Sequence, residues 1–350
     1  MTSWEQSVTQ SVFIRKADTS IDMLAIHVDD IAIAGHSSRI AKIKEELNFI
    51  FDMNDLGELT SMIGFHITRN RSKRTITLSQ SSYASKIVER LGLSNANPSP
   101  TPLNTHVKLT PTPKGEVDPE MADAPYHLAI GSLMYLAMGT RPDLTFAVQH
   151  LSQFASNPSS AHWTAVKRAF CYVKGTYKLS LTLGNTGSTP SLEGFTDADW
   201  GSDINDRKSI SGFLFQFLGP ISWSSKKQAT TALSSMEAEY MALTHATREA
   251  IWLRSCLSKL HLPQSSATPI HVDNQAAISF ANAQDFHMRT KHIDICHHFC
   301  REKIASGEIA ISYINTTDNL ADLFTKALPT PRHRDLVKKL GLTAGVEEES

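Results

Sequence analysis

Apolar positions change their period several times along the chain, and each change marks an element. MLAIHV, beginning at Met23, stops at Asp29-Asp30 and resumes as IAIAG. Two β-rich runs around a polar pair predict a tight hairpin. Ile40, Ile43, Leu47 and Ile50 recur every three or four residues and predict a helix from about Arg39 to Phe51. MIGFHITRN and TITLSQ alternate around the basic turn RSKR, a second hairpin, and SSYASKIVERLGL reads as a helix ending at Leu91-Gly92. Pro98, Pro100, Pro102, Pro111, Pro113 and Pro119 lie among Ser, Thr and Asn, which predicts an extended, irregular linker over 98–119. From about 120 to 183 three apolar stripes predict a mostly helical segment. They are Ile130/Leu133/Met134/Ala137, Leu144/Ala147/Val148/Leu151/Phe154 and Trp163/Val166/Phe170/Val173.

After the flexible connector GNTGSTPS the order of elements changes. LEGFTDA reads as a strand, and ISGFLFQFL and ISWSS as antiparallel partners across Gly219-Pro220. A long helix follows from about Ser235 to Leu260. Then come the strand PIHVD, the helix QAAISFAN, a helix over about 292–306, the strand IAISYI and a last helix NLADLFTKAL. Three strands followed by helix–strand alternation predict a five-stranded mixed sheet covered by helices over 190–328. Residues 329–350 read as a C-terminal tail ending in the acidic GVEEES.

Composition narrows the class. The 350 residues are 41% hydrophobic and 20% charged, enough apolar content for real cores and too much for a disordered chain. Thirty-four basic and 35 acidic residues give a net charge of -1, which excludes a globally basic nucleic-acid binder but not local basic faces. No apolar run is long enough to span a bilayer, and the N-terminus lacks the pattern of a signal peptide. Cys171, Cys256, Cys296 and Cys300 form no disulfide framework. The expectation is an intracellular protein, cytoplasmic or nuclear, with no membrane partner.

Four acids fall at the ends of elements: Asp197 in the first strand of the sheet, Glu237 in the first turn of the long helix, Asp273 at the C-terminal end of the fourth strand and Asp322 in the first turns of the last helix. The carboxyl ends of parallel strands are where such sheets place their sites. Four carboxylates there could form an oxygen-rich cage for two hard cations. Each acid also has a plainer reading. Ser234-Ser235-Met236-Glu237 is a capping-box pattern, Asp273-Asn274 could start a helix, Asp322 could complement a helix dipole, and Asp197 has turn-forming acidic neighbours. Spacing alone does not choose between these.

The string GFTDADWGSDINDRKSISGFLFQFLGPISWSSKKQATTALSSMEAEYMAL resembles the ribonuclease H domain of copia-type retrotransposon Pol polyproteins. VDNQAAI, RTKHIDICHHFCREKI and TTDNLADLFTKAL continue in that family's order. YHLAIGSLMYLAMGTRPDLTFAVQHLSQF and HWTAVKRAFCYVKGT are similar to its connecting region, while HVDDIAIAG, FDMNDLGELTSMIGFHI and LSQSSYASKIVERLGL are similar to the end of its reverse transcriptase. The resemblance implies a reverse-transcriptase piece of palm and thumb over 1–97, the linker, a helical connecting region over 120–183 and a ribonuclease H-like sheet over 190–328. It assigns Asp197, Glu237, Asp273 and Asp322 as the catalytic metal-binding acids, two Mg²⁺ or Mn²⁺ ions as cofactors, and the RNA strand of an RNA–DNA hybrid as substrate. Other nucleic acids and other Pol chains are further implied partners. Retroviral relatives often carry a histidine before the fourth acid; NTTDNL has none.

The same resemblance makes Asp29 and Asp30 a polymerase metal motif, with His27 where a tyrosine usually stands. A polymerase needs a further catalytic aspartate from an upstream strand, and Glu5, Asp18 and Asp22 do not supply it. The expectation is therefore a vestigial motif and no polymerisation by this chain alone. Arg69, Arg71, Lys73 and Arg74 resemble a primer-gripping hairpin turn and could hold phosphates, or simply face solvent. His287, His292, Cys296, His297, His298 and Cys300 could suggest zinc, but Ile293, Cys296, Cys300 and Ile304 equally form a buried helical stripe, which is the preferred reading. The rival to a nuclease is a non-catalytic retroelement remnant that at most binds nucleic acid.

Overall fold

The computed structural model describes residues 4–6, 11–17, 20–184, 190–283 and 291–344, without the side chains of 291–297. The chain divides into two compact units, one of residues 1–67 with 251–265 and one of 68–250 with 266–350.

In the first unit, β1 (Glu5–Gln6), β2 (Val12–Ala17), β3 (Ser20–His27) and β4 (Asp30–Ala34) form a four-stranded antiparallel sheet in chain order. β2 has three apolar residues in a row, so it carries no period-two signal in sequence. The β3–β4 hairpin is present, but its turn is Val28-Asp29 rather than the acidic pair: His27 faces Asp30, and Val28 has φ 54°. Asp22 is fully buried beneath this sheet and is held by Arg39 at 2.9 Å and Arg15 at 3.6 Å. A Cβ on Gly35 would lie 2.5 Å from its Oδ1, so glycine leaves the room this ion pair needs. α1 (Ser37–Asn48) and β5 (Ser61–Met62) follow, and the division at residue 67 falls within β6 (Phe65–Asn70).

The second unit, which begins at Thr68, takes in β7 (Thr75–Ser79) and α2 (Ser81–Arg90), and continues with α3 (Tyr126–Gly139), α4 (Thr145–Ser152) and α5 (Ser160–Thr176). The predicted stripes of these helices, except for Met134, which is exposed on α3, meet in one core around Ile87, Leu133, Leu151, Val166 and Phe170. The proline-rich linker is irregular as expected, yet it packs: Thr101, Leu103 and Leu109 are buried. The segment after α5 is not helical. β8 (Leu179–Gly184) pairs with β7, because Leu179, Leu181 and Leu183 alternate with polar residues.

β9 (Glu193–Asp199), β10 (Ile210–Gln216), β11 (Pro220–Lys227), α6 (Ser235–Lys259), β12 (Thr268–Val272), α7 (Gln275–Asn282), α8 (Lys291–Ala305) and β13 (Ile309–Tyr313) come next. The strands form the expected five-stranded mixed sheet in the order β11-β10-β9-β12-β13. Its first three strands are antiparallel, and β12 runs parallel to both β9 and β13. Ala238, Ala242, Ala246 and Ala250 are buried at four-residue spacing on α6, and Ala238 and Ala242 cluster with Ala198 of β9. Small side chains let helix and sheet approach closely.

Two expectations at the C-terminus need correction. The last predicted helix is only a 3-10 turn over Leu320–Phe324, begun by Asn319, whose side chain accepts a hydrogen bond from Ala321 N. The supposed tail is structured up to residue 344: α9 (Thr330–Lys339) buries His333, Leu336 and Val337, and β14 (Leu342–Ala344) pairs with β8. Below α9 lies a buried polar knot. Arg141 makes a two-pronged ion pair with Asp143 (2.9 and 2.8 Å), Tyr172 donates to Asp143 at 2.6 Å, and His333 packs edge-on against Tyr172.

Candidate metal centre

β9 and β12 are parallel neighbours with His271 beside Phe195. Asp197, near the end of β9, and Asp273, immediately after β12, therefore leave the sheet at the same edge. The first turns of α6 approach this edge and bring a glutamate to it. That residue is Glu239, not Glu237: ligand oxygens of Asp197, Glu239 and Asp273 all lie within 4.8 Å of one another. Among the described residues this is the one set of three metal-capable side chains that converges.

Glu237 instead has the plainer role that its sequence context allowed. Its backbone N–H donates to Ser234 Oγ (3.1 Å), and its carboxylate accepts from Leu233 N (2.9 Å), so it caps the start of α6. Two residues along an α-helix are turned by about 200°, so Glu237 and Glu239 cannot both face the sheet. The alanine face at 238, 242, 246 and 250 was the available signal, since Glu239 adjoins it.

Asp322 arrives on the 3-10 turn, and two features dock that turn against the sheet. Asn319 Nδ2 donates to Thr196 O at 3.0 Å. Gly212, paired with Asp197 in the β9–β10 register, has no side chain where a Cβ would meet Phe324 Cβ at 2.7 Å and Thr325 Cγ2 at 2.8 Å. Thr325 donates its hydroxyl to Asp197. Lys326 Nζ then bridges the two acids, 2.8 Å from Asp322 Oδ1 and 3.5 Å from Asp197 Oδ2, and Arg332 holds Asp322 Oδ2 at 3.0 Å.

Crowding of buried acids shows in their proton affinities. Burial, then the neighbouring Asp322 and Asp273, push Asp197 up to about 6 against the pull of Lys326 and Thr325. Burial, then Asp197 and Asp273, push Glu239 up to about 9. Burial also raises Asp199. Glu239 Oε2 is buried without a hydrogen-bond donor. An acceptor-only oxygen left in that state, beside two more carboxylates, suits a hard divalent cation. The acid set thus fits the implied metal, with Asp197, Glu239 and Asp273 able to hold one ion and Asp197 with Asp322 able to hold another.

A cleft of about 630 Å³ adjoins the site, with Asp199, Trp200, Arg207, Lys326 and Arg168 among its walls. The other predicted residues are not among the side chains that converge. Asp29 and Asp30 are exposed at the hairpin of the first unit and join no acid triad among the described residues. Arg69, Arg71, Lys73 and Arg74 are all exposed around the β6–β7 turn. Of the suggested zinc ligands, His287 and the side chains of His292, Cys296 and His297 fall outside the described residues. Cys300 is fully buried and contacts the hydroxyls of Thr244 (3.4 Å) and Thr247 (3.6 Å), as a packed core residue would. No helix among the described residues is long and apolar enough to cross a membrane.

Residues 3–105 match the family described as reverse transcriptase (RNA-dependent DNA polymerase). Over 334 residues the chain is 42% identical to the retrovirus-related Pol polyprotein from transposon TNT 1-94 of Nicotiana tabacum, covering 94% of this chain and 25% of that protein. It is 36% identical to the corresponding polyprotein from transposon RE2 of Arabidopsis thaliana over 95% of this chain and 22% of that protein. An uncharacterized mitochondrial protein of Arabidopsis thaliana is 34% identical over 67% of this chain and 96% of its own length. The chain thus spans about a quarter of the length of the Pol polyproteins it matches. Among solved structures, a ribonuclease H1 from Halobacterium salinarum is similar at 14% identity and a TM-score of 0.30, over 39% of this chain and 94% of that one. A foamy viral protease-reverse transcriptase in complex with RNA/DNA hybrid is similar at 14% identity and a TM-score of 0.44, over 87% of this chain and 37% of that one.

Proposed function

The chain belongs to the copia-type retrotransposon Pol polyprotein family, and we propose that it is a metal-dependent ribonuclease H acting on the RNA strand of RNA–DNA hybrids. The observation that carries this reading is the convergence of Asp197, Glu239 and Asp273 at one sheet edge, with Asp322 beside them. Residues 190–328 would be the nuclease, completed by α9 and β14. Residues 120–183 would be the connecting region, and 1–97 the end of the reverse transcriptase.

Asp197, Glu239, Asp273 and Asp322 would hold two Mg²⁺ or Mn²⁺ ions. Such a pair, when bound, lowers the pKa of water and stabilises the charge on the departing 3′-oxygen in an in-line displacement. Asp197 lies between the two ligand sets and would fix their separation. Thr325, through its hydrogen bond to Asp197, orients that carboxylate. The cleft beside Asp199 offers Arg207, Arg168 and Lys326 to an anionic backbone and Trp200 to a base. The exposed basic turn at 69–74 would add sequence-independent phosphate contacts.

A hybrid whose RNA strand is labelled, incubated with the protein and Mg²⁺, tests the reading. Cleavage to products with 3′-hydroxyl and 5′-phosphate ends, lost in Asp197→Asn and on chelation, is expected. Binding of the hybrid with no cleavage in either metal would favour the non-catalytic remnant instead.

A further inference from the structure

The acids of the site are not equally supplied with positive charge. Among the described residues, no lysine or arginine lies within ion-pair distance of Glu239 or Asp273, whereas Asp322 has one on each oxygen. The two partners differ in kind. Arg332 also donates to the carbonyls of Thr316 (2.6 Å) and Thr317, so its guanidinium is fixed to the loop that precedes the turn. Lys326 has no such tether. Its ammonium lies between Asp322 Oδ1 and Asp197 Oδ2, on the two acids that would hold the second ion. Its side chain is 34% exposed, against 4–5% for the two acids, and it lines the neighbouring cleft, so it has a route out.

We infer that Lys326 is an internal counter-ion that competes with a divalent cation for Asp197 and Asp322. This inference rests on the metal-dependent reading above and deepens it. An ammonium and a divalent ion cannot share that position, so binding there must displace Lys326 from both acids, whereas binding at Asp197, Glu239 and Asp273 meets Lys326 only at the longer 3.5 Å contact on the shared Asp197. The two positions therefore fill in order, the Glu239 side first, and Lys326 sets the gap between them. By linkage, whatever Lys326 contributes to holding the acids together is lost from the affinity of the second ion.

Mn²⁺ titration of the whole chain, with free Mn²⁺ counted by electron paramagnetic resonance, tests this without reference to cleavage. Wild type should show one tighter and one weaker site. Lys326→Met, which keeps the stem and removes the charge, should tighten the weaker site by about tenfold or more, the scale of one buried charge contact. Lys326→Arg should leave it near the wild-type value. The metal-free melting temperature should fall in Lys326→Met, and added Mn²⁺ should raise it by more than in wild type. If the methionine variant keeps its fold by circular dichroism and its weaker site is unchanged or lost, the inference is overturned. If wild type binds two Mn²⁺ equally tightly it is overturned as well, with the metal reading intact. If neither protein binds Mn²⁺, both readings fall. Should Lys326→Met not fold, Lys326→Gln serves, with the same outcomes.

Discussion

The choice between Glu239 and Glu237 can be decided by stability as well as by activity. Glu239 → Gln replaces a buried carboxyl with a neutral side chain of the same shape. In the folded protein burial, Asp197 and Asp273 raise this acid from its ordinary 4.5 to about 9. Between those pH values the unfolded chain releases the proton and the folded chain keeps it. Stability without metal must therefore fall as pH rises across that window. Each unit is worth about 1.4 kcal/mol, which sets an upper bound near 6 kcal/mol, and mutual relief among the three acids brings the expected gain for the variant to ~2–3 kcal/mol at pH 8.5. Urea unfolding in chelator at pH 4.5 and 8.5 reads this directly. The variant should match wild type at the lower pH, exceed it at the higher, and lose hybrid cleavage. Glu237→Gln should do the opposite, losing about 0.5–1 kcal/mol at both pH values as its cap weakens, and retaining cleavage. A Glu239→Gln protein with wild-type pH dependence and full cleavage would refute the assignment.

Mg²⁺ should raise the melting temperature of wild type, and more at pH 8 than at pH 5.5, because burial and neighbouring acids make Asp197 and Glu239 hold protons that the metal must displace; an equal shift at both pH values would count against these ligands. Gly212→Ala puts a Cβ 2.7 Å from Phe324 and should cost ~1–3 kcal/mol while reducing cleavage, since the turn carrying Asp322 must retreat. A neutral effect on both would show that the turn does not depend on this contact. Asp143→Asn leaves the buried Arg141 guanidinium without its counter-charge and should destabilise the second unit by ~3–5 kcal/mol in urea unfolding; a loss below about 1 kcal/mol would mean the charge finds another partner. Replacing Arg69, Arg71, Lys73 and Arg74 by alanine should weaken hybrid binding and flatten its salt dependence, as removal of phosphate contacts does, and an unchanged salt slope would place the nucleic acid elsewhere.

Periodicity in the sequence was sufficient for most of the second unit. The stripes of α3, α4 and α5 and the length of α6 follow from local pattern, because a buried face imposes its period on the residues that supply it, and β9 and β10 follow from short, continuously buried runs. The motif strings identified the family, and the strand pattern placed Asp197 and Asp273 at the ends of two strands. Where the pattern was short or mixed, tertiary structure decided. NLADLFTKAL has helical spacing, but docking of Asn319 onto Thr196 and of Phe324 against Gly212 stops it after one turn. β2, with its three consecutive apolar residues, formed because partner strands were available to it. The 98–119 linker is buried in part because the helical core offers apolar surface to Leu103 and Leu109. Two glutamates two residues apart looked interchangeable in sequence, and the capping pattern drew attention to Glu237. Only the rotation of α6, set by four alanines against the sheet, turned Glu239 inward. Likewise, no local signal joined Lys326 to Asp197: that contact spans the domain and exists because the sheet and the final turn meet at one edge.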